Sequence, residues 1–139
     1  QISASNKDEL IKLMANHLCQ LHPELSPKIL LENLLKRENE NSTGIGNQIA
    51  IPHAIDNNID KTLCLIGQIP DGVDFDSMDN KKVLMAFMLV SPPVLKNEHI
   101  RVLSRIARVI KNHQTVIDLS KSSKDEIIQL IIAEDAKQE

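Results

Sequence analysis

The sequence predicts an α/β fold, a single domain in which a mixed β-sheet is sandwiched between helices. Segments with apolar residues at helical spacing alternate with short apolar runs, which is the order expected of α/β proteins. One of these runs, VLMAFMLV at 83–90, is apolar at every position, as in a central strand that helices cover on both faces. No linker rich in proline, glycine or serine divides the 139 residues. We therefore expect one domain over residues 1–139.

Two helices are predicted in the first part of the chain. Ser5 with Asp8 is typical of a helix N-terminus. The apolar residues that follow recur at helical spacing: Leu10, Met14 and Leu18. After the break HPEL, Ser26 and Pro27 predict the start of a second helix, because proline in the first helical position has no N–H group to lose. This helix continues through KILLENLLKRE and places Arg37 near its end.

Three segments are typical of strands: QIAIP at 48–52, TLCLIGQI at 62–69 and KKVLMAFMLVS at 81–91. The first follows a glycine turn within STGIGN and is expected to end at His53. The segment PDGVDFDSMDN at 70–80 is rich in turn residues and predicts turns with a short edge segment.

Two further helices are predicted in the last part of the chain. The segment NEHIRVLSRIARVIKN at 97–112 is amphipathic. Its apolar face carries Leu103, Ile106, Ala107 and Ile110, and its polar face carries Arg101, Arg105, Arg108 and Lys111. Ser123 with Glu126 forms a capping-box pattern that predicts a last helix over IIQLIIAE at 127–134.

The composition argues against several classes of function. A net charge of −3 is unsuited to binding the phosphate backbone of nucleic acid, and two Phe without Trp or Tyr give little to stack on bases. The longest apolar run is well below the roughly 18 residues of a membrane span, so no direct membrane insertion is expected. Cys19 and Cys64 have no CxxC partner, which favours reduced thiols in a cytoplasmic protein, and we interpret both as apolar filler.

The chain has five histidines, and no two of them have the spacing of a metal motif, so no metal site is predicted. Three occupy ordinary surface or half-buried positions and receive no chemical role: His17, His22 and His113. His53 and His99 are the candidates for chemistry.

His53 follows the stretch that begins STGIG at residue 42. Gly44 and Gly46 permit positive φ and a close approach of the backbone, so that consecutive N–H groups could form an anion-binding nest. Ser42 and Thr43 add hydroxyl donors. This combination is compatible with a phosphate-handling site at His53, which we keep as a hypothesis beside a structural role of the ring.

Arg37 and His99 could complete such a site. A guanidinium can hold two phosphate oxygens at once, and His99 lies near a predicted helix start, where N–H groups and the helix dipole favour an anion. Each feature also has a structural alternative. His53 could be a satisfied structural group at a strand end, Arg37 a solvated charge, and His99 a hydrogen-bonding residue at the helix start.

These segments together resemble a known family. The run STGIGNQIAIPHA is similar to the phosphorylation-site signature of the fructose/mannitol-type enzyme IIA domains of the bacterial phosphotransferase system, whose A-[IV]-P-H motif is here Ala50 to His53. The segment LLKRE resembles the arginine segment of that family and contains Arg37. The segment NEHIRVL resembles its second-histidine segment and contains His99. The likeness covers nearly the whole chain.

The resemblance implies a phosphohistidine carrier. In the implied reaction, Nε2 of His53 accepts a phosphoryl group from an HPr-like donor, while Arg37 and His99 stabilise its oxygens. The turn residues Ser42, Thr43, Gly44 and Gly46 would help to bind the phosphoryl group. The implied reaction needs no cofactor, because the donor is itself a phosphohistidine.

The resemblance leaves two roles open. In a sugar phosphotransferase system the acceptor is an enzyme IIB domain. In the nitrogen-related branch, which STGIGN, FDSMDN and LVSPP resemble more closely, phosphorylation of His53 would control binding to transporters or kinases. Gln48 departs from the family, which often has glycine at this position.

Overall fold

The computed structural model describes residues 1–111, 113–127 and 129 of the chain. Its named helices are α1 (Lys7–Leu21), α2 (Pro27–Glu40), α3 (Lys96–Val109) and α4 (His113–Lys121). Its strands are β1 (Gly44–Gly46), β2 (Ile49–Ala50), β3 (His53–Ile55), β4 (Leu63–Val73) and β5 (Val83–Ser91). The fold is the mixed α/β fold that the sequence predicts.

Strand β5 is the centre of the sheet. Strand β4 runs antiparallel along one edge of β5, and β2 and β3 run parallel along the other. All residues of β5 except Leu84 are buried, because helices cover both faces of the sheet. The prediction of a central strand is confirmed.

Strands β2 and β3 are two pieces of one interrupted strand. Ile49 pairs with Met85 and His53 with Leu89, so the register along β5 is the same on both sides of the break. The ladder is interrupted at Pro52, which has no N–H group, while the N–H of Ile51 donates to the Thr43 carbonyl. The expectation that a single strand ends at His53 is therefore wrong, since His53 begins β3.

A tight hairpin joins β1 to β2. Its turn residues are Asn47 and Gln48, with φ of 54° and 64°, as in type I′ hairpins. The sequence places this turn at the glycines, but only Gly46 has a positive φ, and Gly44 lies in the strand. Gln48 therefore has a left-handed backbone conformation, which glycine adopts at a lower cost in free energy. Glycine is also the residue that the family often has at this position.

Strand β4 is longer than the sequence predicts. Its last residues, Pro70 to Val73, lie in the segment that the sequence assigns to turns, and the pairing with β5 shifts between Gln68 and Val73. Proline is tolerated there because β4 pairs with β5 alone among the described strands, and an outer edge needs no donor.

The N-terminal helices begin at well-defined caps. Asn6 accepts from the Glu9 N–H at 2.9 Å, and the Glu9 carboxylate accepts from the Ser5 N–H at 3.0 Å. The cap is therefore Asn6 with Glu9, not the predicted Ser5 with Asp8. At α2 the prediction is confirmed, since the Ser26 hydroxyl accepts from the N–H of Ile29.

The C-terminal capping pattern is also confirmed. The Ser123 hydroxyl accepts from the Glu126 N–H and donates to its carboxylate, and residues 124–127 are helical. The remainder of the helix predicted over 127–134 lies outside the described residues.

Two apolar cores lie on opposite faces of the sheet. Helices α1 and α2 cover one core, which includes Met14, Leu34 and Phe75. Helices α3 and α4 cover the other, which includes Phe87 and Leu119. The sheet therefore lies between helices, as predicted. None of the described helices is long and apolar enough to cross a membrane.

The two cysteines differ in exposure. Cys19 is buried in the core beneath α1, as expected of an apolar side chain, whereas Cys64 on β4 is exposed. The interpretation as apolar filler is therefore wrong for Cys64. Its segment pairs with β5 at an edge of the sheet, and the alternation along an edge strand turns some apolar residues toward solvent.

Candidate phosphoryl-transfer site

His53 is held by a hydrogen bond at each ring nitrogen. Nδ1 lies 2.8 Å from the Ile51 carbonyl oxygen, which can only accept, so Nδ1 carries the ring proton and donates it. Nε2 lies 3.2 Å from Nε of Arg37, which can only donate. These two partners select the neutral tautomer whose lone pair is on Nε2.

The Arg37 side chain is also held by a hydrogen bond at the C-terminal end of α2. It lies in the last turn of α2, and its Nη1 donates to the Asn41 carbonyl at 2.9 Å. The same guanidinium therefore joins the C-terminus of α2 to His53 at the start of β3. This places a permanent positive charge next to the nitrogen that holds the lone pair.

His99 lies beside His53. The two ring centroids are 5.4 Å apart and the ring planes are tilted by 54°. His99 is in the first turn of α3 and is 5% exposed, and its Nδ1 lies 2.8 Å from the hydroxyl of Ser91 at the end of β5. The structure thus brings together the three residues Arg37, His53 and His99, which lie far apart in the sequence.

Both imidazoles have lowered pKa values. Burial lowers the pKa of His53, and the nearby Arg37 charge lowers it further, against the opposing effects of the Ile51 carbonyl and Glu38. Burial lowers the pKa of His99 to about 4, with the neighbouring His53 as the second cause. Both rings are therefore neutral near pH 7.

Thr43 belongs to a buried structural network. Its N–H donates to Glu38 Oε1 at 2.8 Å, and its hydroxyl donates to Glu38 Oε2. Lys7 Nζ lies 3.2 Å from Glu38 Oε1. We refer to Lys7, Glu38 and Thr43 as the Glu38 network. The Thr43 hydroxyl, which the sequence suggests as a phosphoryl donor, thus donates to a carboxylate in this structure, as does the Thr43 N–H.

Ser42 and the glycines also have partners within the protein. The Ser42 hydroxyl donates to the Phe75 carbonyl at 2.6 Å and accepts from the Gly44 N–H at 3.1 Å. A Cβ on Gly44 would lie 2.3 Å from Ser77 Oγ, so Gly44 permits a close approach of two chain segments. Gly46 supplies the positive φ of 94° before the hairpin turn. The predicted phosphoryl-binding support from these residues stays a prediction.

His53 opens onto two shallow depressions. The α2 depression, of about 220 Å³, is lined by Lys36 and Arg37 of α2 and also by His99. The α3 depression, of about 290 Å³, is lined by Arg37 and by Leu103 and Ser104 of α3. Both contain His53, so its ring is reachable from two sides. Across the described part of the chain, no three His, Cys, Asp or Glu side chains are grouped as a metal site.

The carboxylates and hydroxyls behind the site were not predicted from the sequence. Glu38 is 3% exposed and follows Arg37 directly, but a single acidic residue in a helix gives no sign of burial. Ser91 and Glu98 were also missed. Glu98 precedes His99, and an acidic residue beside a candidate histidine is the one signal that could have drawn attention to it.

Residues 1–134 match the sequence model of the family described as phosphoenolpyruvate-dependent sugar phosphotransferase system, EIIA 2. The chain belongs to this family. The match covers α1 through the described end of the chain and confirms the resemblance seen in the sequence. Proteins of the EIIA family are components of phosphotransferases.

Relatives in the EIIA family have two kinds of name. The chain is 32% identical over 104 residues to the PTS system fructose-specific EIIA component of Haloferax volcanii, covering 75% of this chain and 68% of that protein. It is 31% identical over 109 residues to the nitrogen regulatory protein of Pseudomonas aeruginosa, covering 78% of this chain and 71% of that protein.

Solved structures of EIIA proteins share the fold. The nitrogen regulatory protein IIA-Ntr from Neisseria meningitidis has a TM-score of 0.84 at 27% identity, covering 94% of this chain and 89% of that one. Enzyme IIA of the mannitol system from Escherichia coli, solved in complex with its phosphorylated enzyme IIB, has a TM-score of 0.80 at 23% identity. That likeness covers 95% of this chain and 91% of that one, and it shows the fold alone.

Proposed function

We propose that this chain is a phosphohistidine carrier that accepts a phosphoryl group on Nε2 of His53 from an HPr-like donor and passes it to an enzyme IIB. The observation that carries the proposal is the hydrogen-bonding of His53. Its Nδ1 donates to the Ile51 carbonyl, and its Nε2 holds a lone pair 3.2 Å from Nε of Arg37. A histidine that attacks through Nε2 needs this tautomer, because the lone pair must be on that nitrogen.

In the proposed transfer, the bond between phosphorus and His53 Nε2 forms while the donor's nitrogen–phosphorus bond breaks. The electron pair of the broken bond returns to the donor imidazole, and the Nδ1 proton of His53 stays on the ring, bonded to Ile51. The transferring group carries negative charge spread over its oxygens, so catalysis depends on position and electrostatics. The Arg37 N–H that now faces Nε2 would turn to an oxygen of the incoming group.

His99 would act on the phosphorylated state. The phosphoryl group brings a charge of roughly −1.5 to −2 within reach of the His99 ring, which is neutral beforehand. A proton taken up by His99 would then be shared with a phosphoryl oxygen. Support from Ser42, Thr43 and Gly44 would require these groups to exchange the partners that they have in this structure. Gly46 would support the phosphoryl group beside them.

The decisive experiment uses the variants His53→Ala and His17→Ala. Each is mixed with phosphorylated HPr, and acid-labile phosphate on the chain is measured. We expect no uptake by His53→Ala and full uptake by His17→Ala, since His17 lies on α1 and lines neither depression at His53. Stoichiometric acid-labile phosphate on His53→Ala would contradict the proposal.

Arg37 tests the electrostatic part. A charge-assisted contact of about 1.5–3 kcal/mol, felt mainly in the transition state, predicts a roughly 10- to 150-fold lower transfer rate for Arg37→Ala. The control Lys28→Ala removes a cation from the first turn of the same helix and should transfer at the parent rate. An unchanged rate for Arg37→Ala with lowered stability would show that the guanidinium only holds α2 to β3.

The proposal also predicts the pH dependence of uptake. Because burial and Arg37 lower the pKa of His53, less than half of its rings are protonated at the pH where an exposed histidine, with a pKa of about 6.5, is half protonated. Uptake at pH 6.5 should therefore exceed half of its maximum and reach the half-maximal value only at lower pH. Half-maximal uptake at or above pH 6.5 would contradict this.

A second function is favoured by the nitrogen regulatory relatives. In that role, phosphorylated and unphosphorylated His53 would give different affinities for a transporter or kinase. Transfer from the phosphorylated chain to a purified enzyme IIB would support the relay. Binding to a transporter or kinase that depends on phosphorylation, without transfer, would support the regulatory role.

A further inference from the structure

A chain of hydrogen bonds runs from His99 away from the site to a carboxylate. Nδ1 of His99 is 2.8 Å from Ser91 Oγ, Ser91 Oγ is 3.0 Å from Thr62 Oγ1, and Thr62 Oγ1 is 3.0 Å from Glu98 Oε2. We refer to these four residues as the Glu98 network. It joins the end of β5, the residue before β4 and the first turn of α3.

The chemistry of its members gives this network one direction. An ionised carboxylate only accepts, so the single hydroxyl proton of Thr62 goes to Glu98. The Thr62 oxygen must then accept the proton of Ser91. Ser91, having donated, must accept from the ring, which places the ring proton of His99 on Nδ1 and the lone pair on Nε2.

The network also links a negative charge to a ring whose protonation the other surroundings disfavour. His99 lies in the first turn of α3, where the helix dipole is positive, and Arg37 lies across the site on α2. Burial opposes protonation of the ring most, the neighbouring His53 opposes it as well, and the positive helix end and the guanidinium act in the same direction. The Glu98 carboxylate is linked to the ring through two hydroxyls, one of them on the fully buried Ser91.

We propose that Glu98, Thr62 and Ser91 are positioning residues that hold His99 in the Nδ1–H tautomer and favour its protonation on Nε2 once His53 carries a phosphoryl group. The added proton comes from solvent and forms one N–H bond on Nε2. The Nδ1 proton stays on the ring, and Glu98 stays ionised. This step rests on the proposed phosphorylation of His53, whereas the tautomer does not.

The tautomer is tested first, in the unphosphorylated protein. The NMR shifts of the imidazole nitrogens distinguish the two neutral tautomers directly. In Thr62→Val, Ser91 loses its acceptor and becomes free to donate to His99, so we expect a shift toward the Nε2–H tautomer. Thr62→Ser keeps the hydroxyl and should restore the parent shifts. Parent shifts in a folded Thr62→Val protein would overturn the proposal.

The effect of the carboxylate is tested by phosphorylation with potassium phosphoramidate, which needs no protein donor. In the parent protein the phosphoryl charge should raise the pKa of His99. In phosphorylated Glu98→Gln the pKa of His99 should be lower than in the phosphorylated parent by on the order of one pKa unit. Glu98→Gln keeps an oxygen that can accept from Thr62, so it changes charge with little change of shape.

The matched control is Asp71→Asn. It removes one negative charge from the exposed part of β4 at the opposite end of β5 from Ser91, and the pKa of His99 in the phosphorylated variant should equal that in the phosphorylated parent. An equal His99 pKa in phosphorylated Glu98→Gln and the phosphorylated parent would overturn the proposed role of Glu98. If phosphoramidate does not label His53, the proposed function fails, and the tautomer experiment still decides the role of Thr62 and Ser91.

Discussion

The Glu38 network and the Glu98 network are built from the same kinds of group but end differently. In each, a glutamate next to a site residue in the sequence accepts from a threonine hydroxyl. The Glu38 network ends on a backbone N–H and on Lys7, so its members satisfy one another. The Glu98 network ends on Nδ1 of His99, a ring whose protonation can change.

This difference assigns the two networks different roles, one in stability and one in the protonation of a site residue. A network whose donors and acceptors are all paired among themselves fixes the position of a backbone segment, here the chain that leads to β1. A network that ends on a titratable ring transmits its charge to a group that lines the α2 depression. Proximity to His53 alone does not distinguish the two, because both flank it.

The largest effect on stability is expected from a mutation that breaks the Glu38 network. Glu38→Ala leaves the buried N–H and hydroxyl of Thr43 without an acceptor and Lys7 without its closer partner, which should cost about 3–5 kcal/mol in the free energy of unfolding. The tautomer of His99, measured by the NMR shifts of its imidazole nitrogens, should be that of the parent. Urea denaturation and NMR measure both, with Glu32→Ala on the exposed face of α2 as the control. A loss below 1 kcal/mol would contradict the structural role.

The pH dependence of stability isolates His99. Because its pKa is lowered to about 4, the unfolded chain binds a proton between pH 6.5 and 4 that the folded chain does not. The free energy of unfolding should therefore fall as the pH falls through this window, by about 3 kcal/mol for His99 alone.

His99→Asn supplies the background for that measurement. It removes the titrating ring, and the carboxylates that also titrate in this window remain. The difference between the parent and His99→Asn profiles should contain the His99 contribution. Parallel profiles would show that the pKa of His99 is not lowered in the folded protein.

Deleting one hydroxyl from each network tests the comparison with a smaller loss of stability. Thr43→Val and Ser91→Ala each remove one buried hydroxyl and should each cost about 1–3 kcal/mol. Only Ser91→Ala should change the tautomer of His99, because only this hydroxyl bonds its ring. An equal change in both variants would mean that the shifts report general loosening.

The smallest effect is a gain in stability that touches neither network. Gln48 has a φ of 64°, so Gln48→Gly should relieve backbone strain and raise the free energy of unfolding by about 0.5–1 kcal/mol. The control Gln20→Gly, within α1, should lower it by about 1 kcal/mol. Phosphate uptake should be unchanged in both, and a loss of stability in Gln48→Gly would contradict the strain.

Local features could be predicted from the sequence where neighbours in the chain decide them. The cap at Ser26, the amphipathic helix containing His99 and the apolar run of the central strand are of this kind. The candidate residues Arg37, His53 and His99 came from a family pattern. Their meeting depends on β3 pairing with β5 and α2 packing against β3, which no local signal gives.

The features that escaped prediction depend on distant partners. Pro52 suggests the end of a strand. The strand nevertheless resumes as β3 in the same register, because β3 pairs with the following residues of β5. Glu38 has the sequence features of a surface residue, and it is buried because Thr43 and Lys7 satisfy it. Exposure of Cys64 follows from its place on an edge strand, which pairing decides.

Helix α3 carries a local excess of positive charge. This helix carries four basic side chains and one acidic one, a net charge of +3, within a chain of net charge −3, so the remaining residues together carry −6. Such a positive region attracts an anionic group toward α3 before contact. The attraction fades beyond a Debye length of about 8 Å at physiological ionic strength, so its effect at a distance is strongest in dilute salt.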